Sequence, residues 1–330
     1  MVVLRDIAEK ANVSVSTVSR ALQNDARISM STKQKIFKIA NALGYTKHKL
    51  KNKSDQNWDM VGLNVPEVLS QYYSQLVHLA IDNLSEQHLS TIIKITNFKQ
   101  EAMIRNIKNF DQLNVKCMLI IVDDSEEINE DVLVAVESIK TPIMFITSKY
   151  IANLDYDNLY IDEERGITMA LEYLINQGYK KIGFVGEEQT LGRYRVYRQV
   201  MQHFDLPVVE DYIKICKKRA EEGGYYCMKG ILNQENYPDA VFASYDHMAI
   251  GAIHAILEAG LRIPEDIAIL GFDDIFSARY IHKGLTTIKN PYEDMMNIAV
   301  RVLMKRIEEP ESAPQQIALR PSIVIRGTTK

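Results

Sequence analysis

The chain has 330 residues, 46% hydrophobic and 25% charged, a composition that predicts a globular protein with a substantial core, divided into two or three domains. It contains no run of about 18 apolar residues and no cationic leader before an apolar stretch, and Cys117, Cys216 and Cys227 show no paired or metal-ligand spacing; a reduced cytoplasmic protein without membrane span, metal or cofactor is expected. The net charge of −4 conceals an asymmetry, because residues 1–53 hold 11 Lys/Arg against 3 Asp/Glu while the remainder carries −12, which points to a basic module that meets a polyanion, attached to an acidic body.

Three short helical patterns fill the first 45 residues. In "LRDIAEKA", Leu4, Ile7, Ala8 and Ala11 fall at i, i+3, i+4 and i+7. Asn12 and Ser14 break that pattern, and Ser14 is placed to cap a second helix over Val15 to Gln23. This second helix should bury Val18 and Leu22 and expose Ser16, Thr17, Ser19 and Arg20. A third pattern, "STKQKIFKIANALGY", puts Ile36, Ile39, Ala40 and Leu43 on one face, with Gly44 as its stop. Two short helices joined by about three residues, with a third across them, make a helix-turn-helix.

The stretch "NVSVSTVSRAL" is rich in hydroxyls for a helix, since Ser and Thr compete for backbone hydrogen bonds. Short side chains allow close approach to a DNA groove, hydroxyls contact phosphates, and an arginine reads guanine O6 and N7. These residues are therefore expected to face the major groove of DNA.

Residues 46–58, "TKHKLKNKSDQNW", are basic, polar and aperiodic, as a linker would be. From Met60 onward, apolar segments "MVGLNV", "STIIKI", "CMLIIV" and "PIMFIT" alternate with helical stretches, and the alternation resumes with "NLYI", "KKIGFV", "DYIKI", "AVFAS" and "DIAILGF". Repeated βαβ units predict doubly wound parallel sheets covered by helices on both faces. A break near 148–158 divides the run into two similar halves, and a cleft between them, at the carboxyl ends of their strands, is where a ligand would bind. No phosphate-binding glycine loop, nucleophile elbow or HExxH motif occurs, so no catalytic residues are expected. His254, in "IGAIHAILEAG", reads as a helix-packing residue rather than a metal ligand.

A basic helix-turn-helix joined to a two-lobed α/β body resembles the LacI/GalR family of bacterial transcriptional repressors. The resemblance rests on "LRDIAEKANVSVSTVSRAL", "YDHMAIGAIHAILEAGLRIPEDIAILGFDD", "GLTTIKNP" and "LRPSIVIRGTTK", in the family's order. Within it, "NQGYKKIGFVG" and "IFSARY" look most like galactose or galactoside regulators. It implies a helix-turn-helix domain over 1–46, a linker over 47–58, and an effector-binding and dimerisation domain over 59–330. In that last domain, a periplasmic-binding-protein-like fold, the chain would cross between lobes near 148–158 and 288–292.

By position, the resemblance implies base contacts from Val15, Ser16 and Arg20, and phosphate contacts from Ser14, Thr17, Ser19, Ser29 and Thr32. For a small sugar effector it implies Asp273, Asn290, Tyr292 and Tyr245, the last standing where many members carry Asn. Arg195 matches the pocket arginine, with Arg193 and Arg198 as alternative registers. Thr147 stands where many members have a pocket Asp. The linker lacks the family's Pro-Asn pair and hinge-helix spacing, with only Leu50 able to serve as a wedge and Lys47, Lys49, Lys51 and Lys53 available to attract phosphates. The end "RGTTK" lacks a leucine-rich tetramer tail, so a homodimer is expected.

A transporter-associated solute-binding protein would share the lobes, but the basic N-terminal module and the absence of a leader argue against it. A sugar-modifying enzyme finds no paired catalytic motif.

Overall fold

The computed structural model describes residues 3–22, 25, 27–43, 59–123, 128–151, 154–234 and 236–330. The chain divides into two units, Met1–Asn57 and Trp58–Lys330. The expected linker, residues 47–58, lies wholly outside the described residues, as do Gly44, Leu50 and the four linker lysines.

In the first unit, helices α1 (Leu4–Ala11), α2 (Val15–Leu22) and α3 (Met30–Ala42) follow the apolar spacing of the sequence. Ile7, Ala8, Ala11, Val18, Ala21, Ile36 and Ala40 form their shared core, with Leu22, Ile39 and Leu43 packed partly buried against it. Asn12 ends α1 in the left-handed region at φ 55°, its N–H bonding back to the helix carbonyls. The ammonium of Lys35 donates to the Ala11 carbonyl at 2.9 Å, tying α3 to that same helix end.

The second unit contains two six-stranded sheets. In the first lobe the order is β2 (Leu89–Ile95), β1 (Asp59–Val65), β3 (Cys117–Ile121), β4 (Ile143–Thr147), β5 (Asp157–Ile161) and β11 (Gln316–Leu319), all parallel. In the second it is β7 (Ile213–Cys216), β6 (Ile182–Glu187), β8 (Ala240–Ala243), β9 (Ala268–Asp273), β10 (Thr286–Lys289) and β12 (Ser322–Val324). The pair β10 and β12 is antiparallel, the one departure from the all-parallel expectation among the described strands.

Helices cover both faces of each sheet, as strands with near-continuous apolar runs require. On the first lobe α4 (Gln71–Glu86) and α11 (Tyr292–Glu308) cover one face, and α5 (Gln100–Gln112) and α6 (Glu130–Glu137) the other. On the second lobe α7 (Glu163–Asn176) and α8 (Leu191–His203) oppose α9 (Ala220–Leu232) and α10 (Asp246–Glu258). Helices α9 and α10 meet backbone to backbone: a Cβ at Gly251 would lie 2.0 Å from the Glu221 carbonyl oxygen, and one at Gly224 2.0 Å from that of Met248. His254 is exposed on α10, its ring 5.4 Å from that of Tyr225.

The chain passes between the lobes three times. Because β5 pairs with β4, the first passage falls at Asp162, beyond the 148–158 break, where Asp162 caps α7 through the Arg165 N–H at 3.0 Å. The second runs through Asn290 and Pro291, between β10 and α11, and the third through Arg320 and Pro321, between β11 and β12. The third was not anticipated, because β11 and β12 are only four and three residues long and mix polar with apolar side chains.

Candidate functional site

In the first unit the hydroxyls of α2 are organised around its start. Ser14 accepts from the Thr17 N–H at 3.1 Å and its Oγ lies 2.8 Å from the hydroxyls of both Ser16 and Thr17. The start of α3 repeats this arrangement, with Ser29 accepting from the Thr32 N–H at 3.2 Å and its Oγ 2.8 Å from that of Thr32. Each cap therefore combines hydroxyls with the positive end of a helix dipole, a combination suited to phosphate. Val15, Ser16 and Arg20 are exposed, whereas Thr17, Ser19 and Thr32 are half-buried. Val18 and Ala21 face the core, so the face left to α2 carries the residues singled out for base contact.

In the second unit a small cleft, of about 80 Å³, lies between the lobes. Its walls come from the carboxyl ends of the strands and from the loops and helix starts that follow them. The first lobe supplies Ser70, Tyr72, Tyr73, Asp123 and Ser148; the second supplies Glu187, Gln189, Arg193, Arg219, Tyr245, His247 and Asp273.

Asp273 ends β9 at φ 110° and is buried. Its Oδ1 accepts from Asn290 Nδ2 and Tyr292 OH, both at 3.3 Å, and Asn290 Nδ2 also reaches the Tyr292 oxygen at 2.9 Å. Asn290 and Tyr292 thus hold the carboxylate from behind rather than lining the cleft, and Tyr292 meets the cleft residue Tyr72 edge to face, with centroids 5.6 Å apart. Burial raises the Asp273 carboxyl to about 6, opposed by the charges of Arg193 and His247 and the hydrogen bond from Tyr292. Burial, with the negative charge of Asp273, also raises the carboxyl of Asp246 below it, which accepts from Thr287 Oγ1 at 2.5 Å and from the Ile275 N–H at 2.9 Å.

Arg195 is exposed and points into a separate groove with Lys149, Tyr150 and Gln199. The arginine that reaches the cleft wall is Arg193. Two residues along a helix rotate a side chain by about 200°, so the two cannot share a face. Arg193 makes a two-pronged pair with Glu163, at 2.6 and 3.0 Å, donates to the Ser244 carbonyl at 2.6 Å, and lies 4.0 Å from Asp273 Oδ1. Its guanidinium also sits 4.3 Å from the centroid of the Phe272 ring.

Tyr245 lines the cleft, with its hydroxyl donating to Glu187 Oε2 at 2.8 Å and accepting from the Ala220 N–H at 2.9 Å. Burial, reinforced by the Glu187 charge, raises its phenol well above the usual range. Thr147 is buried and turned inward, its hydroxyl 2.8 Å from the Lys149 carbonyl oxygen, and the adjacent Ser148 reaches the cleft instead.

Glu163, Glu187, Arg219 and His247 were not anticipated. Glu187 offered a signal, an acidic side chain closing an apolar strand at its carboxyl end. Gln189 Oε1 and His247 Nε2 are buried without a hydrogen-bond partner among the described residues, and both residues line the cleft. A ligand rich in hydroxyls would satisfy both.

The description "Bacterial regulatory proteins, lacI family" matches residues 3–48, and "Periplasmic binding protein-like domain" matches residues 171–329. The probable HTH-type transcriptional repressor ExuR of Bacillus subtilis is 28% identical, over 100% of this chain and 99% of that protein. The ribose operon repressor of Escherichia coli is 28% identical, over 99% and 100% respectively. These relatives are named as repressors, not enzymes. The Lac repressor dimer, solved bound to operator and an anti-inducer, has the same fold, with a TM-score of 0.73 at 22% identity over 99% of each chain. The chain therefore joins a helix-turn-helix domain of the lacI family of bacterial regulatory proteins to a periplasmic-binding-protein-like domain of two mostly parallel sheets with a cleft between them.

Proposed function

We propose that the protein is a cytoplasmic transcriptional repressor of sugar-utilisation genes, binding operator DNA as a homodimer under the control of a small sugar, galactose or a galactoside. The observation that carries the sugar reading is the cleft itself, where a buried carboxylate, tyrosines and two polar atoms without partners among the described residues, Gln189 Oε1 and His247 Nε2, converge. A sugar offers donors and acceptors around its ring and an apolar face that stacks on an aromatic side chain.

Two copies would present two α2 helices to successive major-groove faces of a near-palindromic site, with Arg20 and its neighbours reading bases and the capped helix starts seated on phosphates. The effector changes the balance between lobe arrangements, and operator affinity changes in return. A coupling of about 1–3 kcal/mol corresponds to a shift of about 5- to 150-fold. Among the described residues no helix is long and apolar enough to cross a membrane.

The test is binding of the full-length protein to a palindromic operator near its own or neighbouring sugar genes, at fixed salt, with and without galactose, lactose and their phosphorylated forms. Tight sequence-specific binding that galactose or lactose weakens is the expected result. Tight binding that none of them moves discards the galactoside assignment, tightening by a sugar reverses the sign of control, and weak binding without sequence preference overturns the DNA-binding role.

A further inference from the structure

Glu187 closes β6 with its side chain only 2% exposed, yet it forms part of the cleft wall. Its Oε1 accepts from Arg219 Nε at 3.1 Å, and its Oε2 accepts the Tyr245 hydroxyl. Arg219 also lays its guanidinium 4.5 Å from the ring centroid of Phe98, on the opposite lobe.

The other arginine of the wall is matched in the same way: Arg193 is held by Glu163. The His247 ring nitrogen Nδ1 lies 2.5 Å from Glu221 Oε1. Asp123 and Asp273 add two more carboxylates to the same space. An arriving carboxylate or phosphate would find the cations already neutralised and further negative charge beside them, a juxtaposition that disfavours its binding.

Resting on the sugar-effector reading above, we propose that Glu187 sets the charge specificity of the cleft: by holding Arg219 it excludes anionic sugars and reserves the site for uncharged ones. The device works by rejection. Arg219 could pair with a sugar acid or sugar phosphate, and Glu187 occupies it first.

The experiment is titration calorimetry of the full-length protein with galactose, galacturonate and galactose 6-phosphate, for wild type, Glu187→Gln and the double variant Glu187→Gln/Arg219→Gln. The substituted amide keeps one acceptor oxygen, which can face Arg219 with the amide NH2 turned to the Tyr245 oxygen, while removing the charge. Wild type is expected to bind galactose and neither acid detectably, Glu187→Gln to gain at least about tenfold in affinity for one or both acids, and the double variant to lose that gain. Wild type binding either acid as tightly as galactose overturns the proposal, whatever the variants do. So does a folded Glu187→Gln, checked by its melting curve, that gains nothing for either acid. If wild type ignores galactose but the acids gain on Glu187→Gln, the galactose assignment fails and the role of Glu187 stands.

Discussion

Arg193 and Glu163 join the starts of α8 and α7 as a two-pronged ion pair, with both side chains 11% exposed and the contact immediately after the first passage between the lobes. An isolated buried charge is costly, so breaking such a pair destabilises more than the pair itself stabilises. Arg193→Met is expected to lower the stability of the larger unit by about 3 kcal/mol, with Arg193→Met/Glu163→Gln recovering much of the loss. Thermal denaturation of the two variants decides this, and equal losses would show that the charge left on Glu163 is not the cause.

Asp273 titrates in the unusual direction for a carboxylate. Its ordinary value is 3.8, and burial raises it to about 6. Folding therefore favours the protonated form, a contribution fully present below about pH 4 and lost as pH rises through about 6. Unfolding by urea between pH 4 and 7 should show stability declining across that window, with the order of 2–3 kcal/mol at stake. Asp273→Asn should flatten the decline and raise stability at pH 7, while abolishing effector binding. An unchanged slope in the variant assigns the pH dependence elsewhere.

Binding of a sugar that donates hydroxyls to ionised Asp273 should weaken as pH falls below about 6, because the protonated carboxyl has lost acceptor capacity. Calorimetry at pH 5 and pH 7.5 reads this directly. Affinity equal at the two values would mean that the carboxylate is not the hydroxyl acceptor.

On α2, Arg20→Ala is expected to cost roughly 1–3 kcal/mol of operator binding and to relax preference at one base pair per half-site. Ser14→Ala acts differently, removing the cap seen at 3.1 Å and about 1 kcal/mol of stability in the first unit, with a loss of affinity that is uniform across sequences. Selection from a randomised operator separates the two effects. A uniform loss for Arg20→Ala would remove it from base reading.

At Gly251 there is no room for a methyl group, since the obstruction at 2.0 Å is the Glu221 carbonyl of α9 rather than a flexible side chain. Gly251→Ala is expected to separate α9 from α10 and cost about 2–3 kcal/mol, read from urea unfolding. A substitution without effect would mean that the two helices slide apart freely.

The positions of these residues show which parts of the molecule were legible in the sequence. Strands such as "CMLIIV" and "AVFAS" declared themselves by unbroken apolar runs, and Ile7, Ala8, Val18 and Ile36 by helical spacing. Strands β10 to β12 were harder, being three or four residues each, with Thr, Lys, Gln and Ser among them. Asp273 was legible from its motif, and so were Asn290 and Tyr292, although only the fold shows that they support the carboxylate instead of lining the cleft. Arg193 was displaced to Arg195 because a run of three arginines fixes no helical phase by itself. The pairing of Glu187 with Arg219 joins the end of β6 to the N-cap of α9, 32 residues apart, a contact that no local pattern encodes.

Three passages between the lobes also determine how such a protein can be recombined. Each lobe is assembled from separated stretches of chain, so a cut at any single point yields pieces of both rather than one complete lobe. Exchanging one wall of the cleft between two regulators would require three coordinated junctions, at Asp162, Asn290–Pro291 and Arg320–Pro321. The first unit is one continuous segment that ends at Asn57, and a single junction transfers it whole. Under the proposed function, the reading of operator sequence would therefore be portable between relatives, whereas the recognition of effector would have to be inherited as a block or altered residue by residue.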